Sequence, residues 1–569
     1  MKKLICIAAG LLLPILPVDA QKAPKWMEKS KKAILTVTTF DKNNRKINST
    51  GGFYVSESGE ALSAYSLFNG ADRATVTDTD GNTYPVASII GADDLYDVIR
   101  FKVSVPRKVP FLPLASDPVA AGTPVFLLTA QAARQGAVEE VSKLKDPYSY
   151  YKISFPLEEG QANTPLLLST GQVFALAQDD ASGKKTHSYG VSATYVNSLR
   201  QTTTDAFNTV YTRIGIRKAW PADVGEASIS LFLLAGTQDA KTYLETLDDF
   251  VATFSNHPDG YLNRASHYAA KRTDLASDPA GQHALLDRAL ADIQTAAKLS
   301  PKKGDVYYNH AKLIYTVAAS DTTLTDTNWS MDAARATVGK AIQEEDLPAY
   351  HELEGDICFF LGDFPAAYEA YMKANSHAAS ANSYYPAAKA LENIPGAQIS
   401  DIIALLDSAI SKMGTPLPRD AAPYILERVE HKTQLSLYNE AIEDYNLYYS
   451  LMDGQVNDSF YFYREQSKFR AGDNEGALQD IRKAIELNTQ IPDYYAEEAA
   501  VLVRMQNYEE ALASVQKALD LAPDFAACYR IKGVCFVRSE KKAEACEAFN
   551  KAKELGDPVV TRLIREHCP

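Results

Sequence analysis

The chain has few cysteines and none in a metal-type spacing. Of its six cysteines, Cys6 lies in an N-terminal apolar run, which leaves Cys358, Cys528, Cys535, Cys546 and Cys568. An odd number gathered mostly near one end is not a disulfide framework, and no C-x-x-C pair suggests zinc. Cys528 and Cys535 are about 10 Å apart along one helix, too far to bridge. Cys528 and Cys546 could pair across two helices. Past the first twenty residues there is no run of about 18 apolar residues, so no stable membrane span is expected. No basic block offsets the formal net charge of −14, which argues against nucleic acid as a partner. Neither a cofactor nor a metal is expected.

What is present is ordinary for globular protein, with 46% hydrophobic and 23% charged residues. At 569 residues the chain is too long for one core, so several domains are expected. Residues 1–20 read as a secretory signal peptide. Lys2 and Lys3 form a positive start, Leu4 to Leu16 a short apolar run, and Val18-Asp19-Ala20 a small-residue end before Gln21. Export follows, to the periplasm of a Gram-negative bacterium or beyond.

Residues 30–200 read as short strands and turns. Ala33 to Thr39 is β-branched. Thr75 to Val86 turns at Asp80-Gly81-Asn82 and reads as a hairpin, and Val98 to Val103 and Val125 to Thr129 are apolar strands. Such spacing suggests a barrel or sandwich. Five segments then follow in a recognisable order: GGFYVS at 51–56, GEALSAYSLF at 59–68, NGADRATV at 69–76, GADDLYDVIRFKV at 91–103 and SYGVSATYVNSL at 188–199. Residues 160–168, GQANTPLLL, stand where a G-N-S-G-G-P-L-L string would be expected. Together they resemble the trypsin-like serine proteases, closest to the high-temperature-requirement type, over about 165 residues. The resemblance implies an all-β double barrel and a catalytic triad.

Carried over residue by residue, the family's histidine falls on Ser66, its aspartate on Asp97 and its serine on Ala162. A methyl group cannot attack a carbonyl, and a serine hydroxyl cannot serve as the general base near neutral pH. Asn163 and Thr164 stand in place of the two glycines after the nucleophile. No histidine lies between residues 21 and 186, Tyr65 is a poor substitute base, and His187 sits in a polar loop. A pseudoprotease is therefore expected, with no catalytic residue.

From about residue 225 alanine-rich amphipathic helices take over. Residues 201–259 read as a helical connector, with helices over Asp205–Ile216 and Ala240–Thr253 and an apolar run, Ser228 to Leu234, that packs the first repeat onto the β domain. From 260 to 558 a period of 34 emerges. Ala477, Ala511 and Ala545 keep it, as do Ala484, Ala518 and Ala552, and Ile481, Val515 and Phe549. Residues 350–375 and 495–523 fit the same unit, with Gly355, Ala367, Tyr371 and Ala374 in the first. These segments resemble tetratricopeptide repeats, helix–turn–helix units that stack into a solenoid. About eight units are expected, followed by a capping helix at 559–569. The fold class is thus multidomain, an all-β double barrel followed by an all-α solenoid.

Arg470, Arg504 and Arg538 recur at one offset. In the groove of the solenoid they would hold the carboxylates of an acidic partner, with Phe359 and Phe469 adding apolar contact; on a solvated face they would pair with nearby acids. The expected function is an exported, non-catalytic interaction or scaffold protein that binds a protein or peptide. Two alternatives stay open: an active serine endopeptidase with an unrecognised site, and a peptide-binding chaperone acting by strand addition.

Overall fold

The computed structural model describes residues 26–568. The segment at 1–20 that reads as a signal peptide lies outside the described residues. The chain divides into two compact units, Met1–Arg288 and Ala289–Pro569, with the division inside the helix Pro279–Leu299.

Alternating burial along short β-branched strands builds the first unit. Ile34–Phe40 (β1) buries Ile34, Leu35 and Val37. Lys46–Tyr54 (β2), Glu60–Ser63 (β3), Arg73–Thr77 (β4), Thr83–Asp93 (β5) and Val98–Val103 (β6) close with it into a barrel of order β1-β2-β3-β6-β5-β4. A second closed barrel follows: Pro124–Leu128 (β7), Ala133–Lys143 (β8), Ser149–Ile153 (β9), Pro165–Leu168 (β10), Val173–Gln178 (β11) and Ser188–Ser192 (β12), in the order β10-β11-β12-β9-β8-β7. Closure pairs every strand of each barrel on both sides. Two barrels of six antiparallel strands form the trypsin-like double barrel.

The segment after the barrels departs from the sequence reading. Asp205–Ile216 is not one helix. Asp205–Phe207 is a 3₁₀ turn and Thr209–Thr212 a single helical turn. The chain then runs extended along the first barrel, where Gly215 N donates to Ala71 O (2.7 Å) and Ile89 N to Arg217 O (2.8 Å). Ile214 and Ile216 are buried in that barrel's core. Burying those two side chains against a sheet outweighs local helix propensity. Ala240–Thr253 is helical as expected. The apolar run at 228–234 lies within the helix Val224–Ala235, whose Ala227 and Leu231 pack on Tyr243, Leu247 and Phe250 of the next helix.

The second unit is helical throughout. Its helices run in consecutive antiparallel pairs, such as Pro348–Phe360 with Phe364–His377 and Ala526–Arg538 with Lys542–Glu554. Local signals set the boundaries. Pro492 opens a helix at its first turn, and Asp363 and Asp473 accept from the amides of Ala366 and Gly476 as N-caps. The 34-residue register is a packing register. Ala477, Ala484, Ala511, Ala518, Ala545 and Ala552 are all fully buried, with Ile481, Val515 and Phe549 filling the space between helices. Small and large residues alternate because paired helices must approach closely and leave no void.

The cysteine pairing differs from the one considered above. Cys546 pairs with Cys568, while Cys358, Cys528 and Cys535 are free and buried. The terminal helix Val560–His567 folds back on Phe549 and so brings Cys568 to Cys546, a contact that sequence spacing does not encode. No helix among the described residues is long and apolar enough to cross a membrane.

Candidate functional site

The ladder between β3 and β6 pairs Glu60 with Lys102 and Ser63 with Ile99. Beyond the strand ends, the turn after β3 and the turn before β6 bring Ser66 to Asp97. Both oxygens of the Asp97 carboxylate are engaged there. Ser66 N donates to Oδ1 at 2.6 Å and Ser66 Oγ to Oδ2 at 2.9 Å. Asp97 holds a left-handed backbone conformation, φ +50°, which Asp tolerates better than most residues. The Asp97 carboxylate thus holds Ser66 by both its amide and its hydroxyl.

Ala162 lies in the loop leading into β10. Asn163 N donates to Ala177 O (2.8 Å) and Ala177 N to Thr164 O (3.0 Å), so the loop is pinned by a continuation of the β10–β11 ladder. Thr164 Oγ1 donates to Gln161 O at 2.7 Å, and Asn163 Nδ2 reaches across to Thr50 Oγ1 of the first barrel at 3.3 Å. Gly51 sits at the centre of this junction. Its carbonyl accepts from Ser63 Oγ at 2.7 Å. A Cβ on Gly51 would lie 3.0 Å from Thr164 Cγ2 and 3.2 Å from the Ala162 carbonyl. The methyl group of Ala162 itself packs against the second barrel's core.

His187 and Tyr65, the other two side chains weighed as bases in the sequence, lie in defined surroundings. His187 places Nε2 3.0 Å from Glu139 Oε2 and Nδ1 2.8 Å from Thr186 Oγ1. Burial pushes the Tyr65 phenol above its ordinary value, so it keeps its proton at neutral pH.

Sequence reasoning missed a polar cluster at Asp93, Lys145 and Tyr195. Lys145 Nζ donates to Asp93 Oδ2 (2.7 Å) and to Tyr195 Oη (2.9 Å), and Tyr195 Oη donates to Asp93 Oδ2. Burial opposes the Asp93 anion, but the hydrogen bonds from Lys145 and Tyr195 prevail and hold it below the usual carboxylate range. Burial pushes Tyr195 up to about 12. The cluster is a charged lock among β5, the β8–β9 turn and the helix after β12. A cavity of about 600 Å³, lined by Gln201, Lys218, Trp220, Leu234 and Asp249 among others, was also not foreseen. Burial lowers the Lys218 ammonium beside it. No motif signals either feature, because each joins residues far apart in sequence.

In the second unit, Arg504 and Arg538 end their helices and Arg470 lies in the last turn of its own. All three are exposed. Arg504 Nη1 donates to the Phe469 carbonyl at 2.6 Å and stacks over the Phe469 ring at 4.8 Å. Arg470 lies 5.8 Å over the Tyr438 ring. The structure thus joins Arg504 with Phe469, and two of the arginines rest on aromatic rings of the preceding helix pair. Phe359 is part of a core cluster, edge-on to Phe364 at 5.3 Å.

Residues 50–176 match the family of the trypsin-like peptidase domain, and residues 492–525 match the tetratricopeptide repeat. The chain carries a trypsin-like domain and tetratricopeptide repeats. Among solved structures it is similar to the serine endoprotease from Yersinia pestis, at 14% identity and a TM-score of 0.27, over 30% of this chain and 62% of that one. The chain thus spans less than two thirds of that protein's length. No curated protein matches.

Proposed function

We propose that this chain is an exported, non-catalytic interaction protein, in which a trypsin-like scaffold without a working triad is joined to a repeat solenoid that binds a protein or peptide. The observation that carries the reading is the pairing of Ser66 with Asp97, with Ala162 at the nucleophile's place. Acyl transfer by this scaffold needs an imidazole between carboxylate and hydroxyl. Here the carboxylate's two oxygens are satisfied by one serine, and the third position offers a methyl group. Tetratricopeptide repeats generally mediate protein interactions, which supplies a role that needs no chemistry. Export rests on the Lys2-Lys3 start and apolar run of residues 1–20.

The test has two arms. Purified protein is incubated with casein and with a fluorogenic peptide library, and hydrolysis at the buffer rate is expected. Activity that co-elutes with the protein and vanishes in Asp97→Ala would sink the proposal. Crosslinking in the native host should map partners to residues 300–558, and Arg504→Glu should weaken their capture. Crosslinks confined to 30–200 would favour strand addition to the barrels instead.

A further inference from the structure

At one end of the helical hairpin Pro348–Phe360 and Phe364–His377, three side chains converge. Asp346 lies in the turn before the first helix, His351 in its first turn, and His377 is the last residue of the second. Antiparallel pairing returns the end of the second helix to the start of the first. Both histidines aim Nε2 at the same carboxylate: His351 Nε2 is 2.5 Å from Asp346 Oδ1 and His377 Nε2 is 3.2 Å from Oδ2. The rings are parallel within 6°, with centroids 5.8 Å apart. One ligand atom from each residue lies within 4.8 Å of the others.

We propose that Asp346, His351 and His377 form a binding site for a divalent transition-metal ion, with zinc as the best fit. Two imidazole nitrogens and one carboxylate oxygen are the donors such an ion prefers, and three protein ligands leave one position for water. Bonds of about 2.1 Å in tetrahedral geometry set donors about 3.4 Å apart, so small side-chain rotations complete the site. A second layer of contacts is already built. His351 is buried at 6% exposure, and its Nδ1 lies 3.4 Å from Glu354 Oε2. A proton held on Nδ1 by that carboxylate leaves the Nε2 lone pair free for a metal. Lys373 Nζ, 3.8 Å from Asp346 Oδ2 and exposed at the rim, has room to swing away.

A second group with metal-type donors, Glu392, Glu427 and His431, differs in a decisive way. Lys389 Nζ already lies 2.7 Å from Glu427 Oε1 and also pairs with Glu392. A resident ammonium satisfies those carboxylates.

Zinc would tie the start of one helix to the end of its partner. The experiment uses untagged full-length protein stripped with chelator, then titrated with zinc chloride against a chromogenic chelator. One zinc per chain is expected. His377→Ala, an exposed position that should leave folding intact, should weaken binding at least about 10-fold, and Glu354→Gln by about 10–100-fold. Cobalt in place of zinc should give the visible absorption of a tetrahedral site, lost in His377→Ala. No zinc uptake by the wild type overturns the proposal, as does undiminished affinity in folded His377→Ala, while His187→Ala should bind as the wild type does.

Discussion

Ser66 satisfies both carboxylate oxygens of Asp97, one through its amide and one through its hydroxyl. That pairing is a clasp between the turn after β3 and the turn before β6. Restoring a hydroxyl at the nucleophile's place therefore should not restore chemistry. Ala162→Ser is expected to stay unlabelled by a fluorophosphonate probe, because no imidazole is present to take the serine proton. Labelling at residue 162 would mean that another base acts there. Asp97→Asn, which weakens two charge-assisted hydrogen bonds, should cost about 1–2 kcal/mol in urea denaturation.

Close packing in the repeats makes its own prediction. Gly533 and Phe549, Ala499 and Val515, and Glu465 and Ile481 stand sixteen apart in successive units. A Cβ on Gly533 would lie 2.4 Å from the Phe549 ring. Gly533→Ala should destabilise the unit by about 1–3 kcal/mol, measured by denaturant unfolding. Combining Gly533→Ala with Phe549→Val should recover part of the loss. The neighbouring unit already holds that pair of side chains, Ala499 and Val515, in the same register.

Glu465 occupies the small-residue position of its unit. It is fully buried, and neither carboxylate oxygen has a hydrogen-bond partner among the described residues. Burial, and then the charges of Glu497 and Asp480, push it up to about 8 from an ordinary value of 4.5. The folded chain thus holds a proton that the unfolded chain releases between those values. This contribution is full below about pH 4.5 and is lost as pH rises through about 8. Glu465→Gln should flatten that slope, with a difference on the order of a few kcal/mol across the window. Urea midpoints at intervals of pH would show it, and parallel slopes in the two proteins would refute it.

The bridge from Cys546 to Cys568 closes a loop of 22 residues in sequence separation. Cys568→Ser should free the helix Val560–His567, with a loss of about 2–4 kcal/mol seen as faster amide exchange there. Cys358, Cys528 and Cys535, all buried, should resist alkylation until denaturant is added.

Much of the architecture is legible in the chain because it is written locally. Ala511 and Val515 announce a helix–helix contact through spacing alone, and Pro492 and Asp473 mark helix starts by their own chemistry. The double barrel is legible through short segments in a fixed order, and Ser66 and Asp97 fall on two of them. Ile214 and Ile216 read as helical from their neighbours, yet their burial depends on a barrel that lies far upstream in sequence.

Residue order alone puts a methyl group at residue 162 and a hydroxyl at residue 66, and gives the repeats a period of 34 residues. Those are facts of residue type and periodicity. It takes the folded chain for Ser66 to reach both oxygens of Asp97, for Cys568 to find Cys546, for Arg504 to lie on Phe469, and for Asp346, His351 and His377 to converge. Each of these depends on where a ladder or a helix pair returns the chain. Side-chain chemistry acts over a few ångströms in space, whatever the separation along the sequence.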